Sequence, residues 1–211
     1  MTLNAHKILL ASGNQKKLKE LGKLLTPMGI ELVRPADFGG LPEVEEDRPD
    51  FAGNAAKKAR SAALATGQWA LADDSGLEVH FLNGAPGVHS ARYAGTHGDD
   101  AANNAKLLQE LSAVPREGRG ARFVCALALA RPDGTIVAAI LGTCPGTILE
   151  APRGDGDFGY DPLFEYREPG HAVDGKSFAE LDGQTKSQVS HRGRALRELA
   201  SQLQELLAQE A

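Results

Sequence analysis

The sequence predicts one α/β domain spanning residues 1–211, and three observations carry that prediction. Short apolar runs of strand length alternate along the whole chain with stretches whose apolar residues recur at helical spacing. No internal repeat, low-complexity tract or long linker interrupts the alternation. The composition, 42% hydrophobic over 211 residues, supplies a core. Area scaling places about 70% of the extended chain's surface in the interior on folding.

Lys7 to Ser12 reads as a buried strand, broken by Gly13-Asn14 before Leu18, Leu21, Leu24, Leu25 and Met28 mark a helix that Pro27 and Gly29 close. Ile30 to Arg34 is next, as a second strand, and Pro35 to Asp50 is an acidic loop. Phe51 opens a helix with a small-residue face of Ala55, Ala59, Ala62 and Ala63, and Gly67 stops it. Trp69 to Ala72 is a short strand ending in Asp73-Asp74-Ser75-Gly76. A helix runs from about Asp99 to Leu111. Phe123–Ala130 and Thr135–Thr143 flank Arg131-Pro132-Asp133-Gly134 as a hairpin, and the last helix carries Leu196, Leu199, Leu203, Leu206 and Leu207.

Charge and cysteine usage narrow the function. With 28 acidic and 23 basic residues the net charge is -5, which lacks the basic footprint of a protein that coats nucleic acid. Any nucleotide handled is expected to be free rather than polymeric. The apolar run near the N-terminus, Ile8 to Ala11, is too short for a signal peptide, and the longest apolar run, Val124 to Ala130, is far short of the ~20 residues of a membrane span. Cys125 and Cys144 show neither metal-ligand spacing nor the density of a disulfide scaffold, so a reducing cytoplasm is expected.

Several clusters could carry chemistry. Ser12-Gly13-Asn14-Gln15-Lys16-Lys17 sits where a strand yields to a helix, so backbone N–H groups and the helix dipole favour a phosphate there, although Asn14 could simply cap the helix. Asp73 and Asp74, at a strand end, suit Mg²⁺ or general-base work, with Glu43, Glu45, Glu46 and Asp47 upstream; the alternative is a solvated turn. In Phe158-Gly159-Tyr160-Asp161-Pro162, glycine permits close approach and two aromatic rings offer stacking faces, or the segment is a bent core strand. Lys186, His191 and Arg192 place donors at the head of the C-terminal helix. Asp99-Asp100 complements a helix start. Gly170 to Ser177 satisfies the P-loop pattern with Lys176, but Ser177 and Glu180 also form a capping box, and the pattern lacks a substantial helix after it.

In order and spacing, Ser12-Gly13-Asn14 with Lys17, Ala72-Asp73-Asp74-Ser75-Gly76-Leu77, Ser90-Ala91-Arg92-Tyr93, Phe158-Gly159-Tyr160-Asp161-Pro162 and Ser190-His191-Arg192-Gly193 resemble the inosine/xanthosine triphosphate pyrophosphatases. The resemblance covers nearly the whole chain. It implies a long mixed sheet flanked by helices, two lobes with a nucleotide cleft between them, and a cytoplasmic homodimer. It further implies Mg²⁺-dependent hydrolysis of ITP, dITP and XTP to a monophosphate and pyrophosphate. Ser12, Gly13, Asn14, Gln15, Lys16, Lys17 and Lys58 would then hold the triphosphate. Glu46 and Asp74 would bind the metal, with Asp73 as a further carboxylate, and Asp74 would accept a proton. Phe158 would stack on the base, and Gly159, Tyr160, Asp161, Lys186, His191 and Arg192 would surround it, with Ser75 nearby. One departure is visible: the family usually has Glu-Asn-Ala where this chain has Gly53-Asn54-Ala55, removing a carboxylate near the expected metal. A P-loop phosphohydrolase using Lys176 and a non-catalytic nucleotide sensor are the competing readings.

Overall fold

A computed structural model describes residues 6–12, 21–23, 25–156 and 158–208. Its strands are β1 (His6–Leu10), β2 (Ile30–Val33), β3 (Trp69–Val79), β4 (Gly120–Ala130), β5 (Ile136–Ile148) and β6 (Phe164–Tyr166). They form one sheet in the order β2-β1-β3-β4-β5-β6, parallel where β1 meets β2 and β3, and antiparallel where β5 meets β6. Beyond residue 50 the α-helices are α1 (Phe51–Thr66), α2 (Asp100–Glu110), α3 (Gly183–Val189) and α4 (His191–Ala208). The mixed sheet and flanking helices agree with the expected fold class.

Local chemistry sets the boundaries. Asp50 caps α1 by accepting from Gly53 N at 2.7 Å, and Gly67, at φ +64°, ends it in a left-handed conformation open to glycine. The expected alanine face of α1 is buried throughout. In the turn joining β4 to β5, Arg131 N donates to Thr135 O and Gly134 N to Arg131 O.

The chain divides into two compact units. The first comprises the segment up to Asp74, then Cys125–Gly142 and the segment from Arg194; the second comprises Ser75–Val124 and Thr143–Gly193. Among the described residues the first unit's core gathers Ile8, Leu10, Leu21, Leu25, Ile30, Leu71, Leu127, Leu129, Leu196, Leu199 and Leu203. These include helix-spaced leucines expected at both ends of the sequence; Leu18 and Leu24 lie outside the described residues. The second unit's core is aromatic, with Phe123, Tyr160, Phe164, Tyr166 and Phe178 packed together with Leu77, Leu107, Leu111 and Ile148. Cys125 and Cys144 are both buried free thiols.

Two expectations are corrected. Trp69–Ala72 is not a short strand closed by an Asp-Asp-Ser-Gly turn; β3 runs unbroken through those residues to Val79. Its turn-like composition is overridden by pairing within the sheet, where β3 lies between β1, which pairs with Trp69–Leu71, and β4. The C-terminal helix is also interrupted. Ser190 leaves the helical region, with ψ near +157°, and its Oγ accepts from Gly193 N at 3.2 Å, so α3 ends and α4 starts around it.

Candidate active site

In the first unit the decisive side chain is Lys58 of α1. Its Nζ donates to Asp74 Oδ1 at 2.9 Å and to Glu46 Oε1 at 3.0 Å, with the lysine side chain only 15% exposed. Burial alone would lower the Lys58 pKa, but the Asp74 and Glu46 carboxylates together outweigh it and raise the value above the ordinary 10.5, so this ammonium stays charged at neutral pH. Neighbouring Lys57 turns elsewhere, to Asp47 Oδ1 and Glu45 O, both at 2.9 Å. Of the two lysines it is therefore Lys58 that reaches the strand aspartate.

Glu46 is delivered by a small device that sequence reasoning missed. Asn54, fully buried on α1, accepts from Arg48 N at 3.0 Å and donates to Arg48 O at 3.4 Å, fastening the acidic loop to the helix. The glycine at position 53 belongs to the same arrangement. A Cβ there would stand 2.9 Å from Arg48 Cβ and 3.1 Å from its Cγ, so the Arg48 stem occupies the room that a side chain at this position would need.

Asp73 and Asp74 do not act as a pair. Because successive strand residues point to opposite faces, Asp74 meets Lys58 while Asp73, 2% exposed, faces the other way and accepts from Cys125 Sγ at 3.8 Å. The structure thus brings together Asp74, Glu46 and Lys58, while Asp73 meets Cys125 on the opposite face of β3. Two carboxylates from different elements converging on one cationic point fit a hard divalent ion, which takes one or two carboxylates and fills its other positions with water and phosphate oxygens. Among the described residues no group of three or more His, Cys, Asp or Glu side chains gathers, as a dedicated protein cage would require. Of the expected phosphate cradle, Ser12 is seen at the end of β1, its N donating to Leu10 O. Gly13, Asn14, Gln15, Lys16 and Lys17 lie outside the described residues.

The second unit assembles a different set. Asp161 forms an ion pair with Lys186 of α3, whose Nζ also lies 5.1 Å from the Phe158 ring centre and 5.7 Å from that of Phe178. Two clusters that are separate in the sequence thereby become one. Arg192, nearly buried, donates from Nη2 to Ser75 Oγ at 3.1 Å, and the His191 ring stacks on Phe123 with centroids 4.8 Å apart. Tyr160 departs from expectation: its ring belongs to the core and its Oη donates to Ser90 O at 2.9 Å, so it offers no open stacking face. Ser90 also dictates the glycine at position 76, because its Oγ would lie 2.3 Å from a Cβ there and accepts from Leu77 N.

The P-loop pattern builds no phosphate cradle. The N–H groups of His171, Asp174, Gly175 and Lys176 donate to Glu168, His171, Tyr166 and Val173 carbonyls, and the pattern leads only into a three-residue 3₁₀ turn, Phe178–Glu180. Ser177 N donates to Glu180 Oε2 at 2.7 Å, the reciprocal half of the expected capping box.

The model of the Ham1 family matches residues 8–202 of this chain. The chain belongs to the Ham1 family. A dITP/XTP pyrophosphatase of Desulforamulus reducens is 53% identical over 194 residues, covering 90% of this chain and 92% of that protein. Among solved structures, a HAM1 protein from Coxiella burnetii superposes with TM-score 0.85 at 42% identity, covering 95% of this chain and 99% of its own. A nucleoside-triphosphatase / dITP/XTP pyrophosphatase from Mycobacterium abscessus gives 0.75 at 48% identity, with 92% and 97% covered. Within this Ham1 chain, then, one unit presents clustered carboxylates and a charged lysine, and the other presents a ring-flanked lysine with further donors.

Proposed function

We propose that this Ham1 protein hydrolyses deaminated purine nucleoside triphosphates, ITP, dITP and XTP, to the monophosphate and pyrophosphate, cleansing the nucleotide pool. The observation that carries the reading is the convergence of Asp74 and Glu46 on the buried Lys58 ammonium. Water adds to the α-phosphorus, the α–β phosphoanhydride bond breaks, and Asp74 takes the proton the water gives up. Lys58 counters the negative charge that grows on the leaving pyrophosphate. Asp74 and Glu46 would hold Mg²⁺, which supplies further neutralisation of the phosphates when bound.

Phe158, Lys186 and Arg192 form the base-reading set. Donors suit the 6-oxo group of hypoxanthine and xanthine, whereas the 6-amino group of adenine would leave donor facing donor, and a buried mismatch of that kind is strongly rejected. The same reading makes residues 1–211 one functional domain and the protein a cytoplasmic homodimer, checked by light scattering of the purified chain. Among the described residues no helix is long and apolar enough to cross a membrane. The primary test incubates the protein with Mg²⁺ and a panel of nucleoside triphosphates and identifies the product. Pyrophosphate from ITP and XTP in preference to ATP is expected. Orthophosphate, or no turnover with intact binding, would replace the reading by a phosphohydrolase or a sensor.

A further inference from the structure

Gly159 sits in the middle of the loop that carries Phe158 and Asp161, and α2 grips it from both sides of its α-carbon. Its N–H donates to Asp100 Oδ2 at 2.8 Å, and its carbonyl accepts from Asn104 Nδ2 at 2.8 Å. Asp100 and Asn104 stand four residues apart and so share a face of the helix. That face continues into Leu107 and Leu111, both fully buried, which anchor the helix in the core. Gly159 itself has φ +55°, a region glycine enters without steric cost and leaves as readily. Its own φ therefore does not fix Gly159, and the two side-chain hydrogen bonds hold it on α2, while the Asp161 N to Phe158 O bond and the buried Tyr160 hold the loop around it.

We propose that Asp100 and Asn104 are positioning residues for substrate: they set where the Phe158 ring and the Asp161–Lys186 pair stand, and through them affinity and base selectivity, without touching the nucleotide. The inference rests on reading this loop as the base-recognition loop. A merely helix-capping role for Asp100 is already filled, because Asp99 is the N-cap and accepts from Ala102 N at 3.0 Å. Nor is the contact isolated. Asn103 accepts from Ala94 N at 2.7 Å, Lys106 donates to Tyr93 O at 2.8 Å, and Tyr160 Oη ties the recognition loop to Ser90. One helix thus holds the loop of residues 90–94 by one pair of side chains and the recognition loop by another.

The test compares Asp100→Ala, Asn104→Ala and Asp99→Ala with the conservative Asp100→Asn, which keeps an acceptor for Gly159 N. Alanine suits a helix interior, so Asn104→Ala is expected to keep its fold. Losing one of these hydrogen bonds should raise the KM for ITP about tenfold and shrink the preference for ITP over ATP, with kcat changed less than about twofold. Asp100→Asn should restore the KM, and Asp99→Ala should lower thermal stability while leaving it unchanged. In ligand-free protein, exchange of the Gly159 amide should accelerate in Asp100→Ala and not in Asp99→Ala. Equal KM and equal Gly159 exchange in those two variants would overturn the proposal. Absence of pyrophosphate release by the wild type would instead overturn the hydrolase reading, and the exchange measurement would still judge the clamp.

Discussion

Each unit of this protein contains a lysine paired to an aspartate, and the surroundings give the two pairs different work. Lys58 stands between two carboxylates, Asp74 and Glu46. That cluster carries an excess of negative charge, which suits sharing cations with a triphosphate and its metal. Lys186 meets the carboxylate of Asp161 and lies over the Phe158 and Phe178 rings. Its charge is balanced, and it presents donors beside flat apolar faces. Under the proposed function the same ion pair serves charge handling in one setting and ring recognition in the other, and Ser75, which meets Arg192, directly succeeds Asp74 along β3.

The largest effect that could break this division is expected at Asp74. Asp74→Asn keeps the shape, leaves Glu46 to hold Lys58, and removes the proton acceptor, so pyrophosphate release should fall at least ~10²-fold with the melting curve little changed. A variant retaining most of the wild-type rate would sink the assignment of chemistry to this unit. Asp161→Asn tests the other half: Lys186 loses its counter-charge, and the KM for ITP should rise about tenfold while kcat is nearly maintained. If Asp161→Asn depressed kcat as Asp74→Asn does, the two pairs would not be doing separate work.

Most strands and helices and the first unit's core were legible because hydrophobic period reports them directly, as Leu196, Leu199 and Leu203 show, whereas the second unit's aromatic core was not, with Phe164, Tyr166 and Phe178 in no periodic run and Tyr160 read as a stacking face. Asp74, Phe158 and Lys186 were legible as clusters, and Lys58 entered through family resemblance. The continuity of β3 was hidden, since Asp-Asp-Ser-Gly carries the composition of a turn and only its neighbouring strands reveal otherwise. Strand alternation then separated Asp73 from Asp74, a consequence that cannot be drawn while the residues are read as a turn. Asp100 and Asn104 were hidden for another reason. Their shared partner is a backbone group 59 and 55 residues away, and a helix N-terminus already offers an acidic residue a sufficient role.

A smaller effect sharpens the comparison through pH. The Lys58 pKa is raised above 10.5 in the folded protein, opposed by burial but carried by Asp74 and Glu46. A group whose folded value exceeds its unfolded one stabilises fully below the unfolded value and loses that contribution as pH climbs through the folded value. The stability difference between wild type and Lys58→Met, measured by urea unfolding, should therefore stay constant from about pH 7 to 9.5 and narrow only above about 10.5. Narrowing already between pH 7 and 9 would mean that the two carboxylates fail to hold the ammonium.

The smallest effect is expected at a third lysine, Lys176, the one that the P-loop pattern singles out. It is exposed, and its N–H and carbonyl are engaged with Val173 O and Tyr166 N. In a working P-loop those backbone amides would point at phosphate, with the lysine over the β and γ groups and a helix dipole behind them. Here the neighbouring amides close local turns and Phe178–Glu180 is too short to present a helix terminus. Lys176→Ala should accordingly change the rate and KM for ITP by less than about twofold and the stability by less than about 0.5 kcal/mol, as for an ordinary surface substitution. Steady-state kinetics beside Asp74→Asn decides the matter: a severe loss at Lys176 with activity retained at Asp74 would move the phosphate chemistry from the first unit to the second and dissolve the contrast between the two ion pairs.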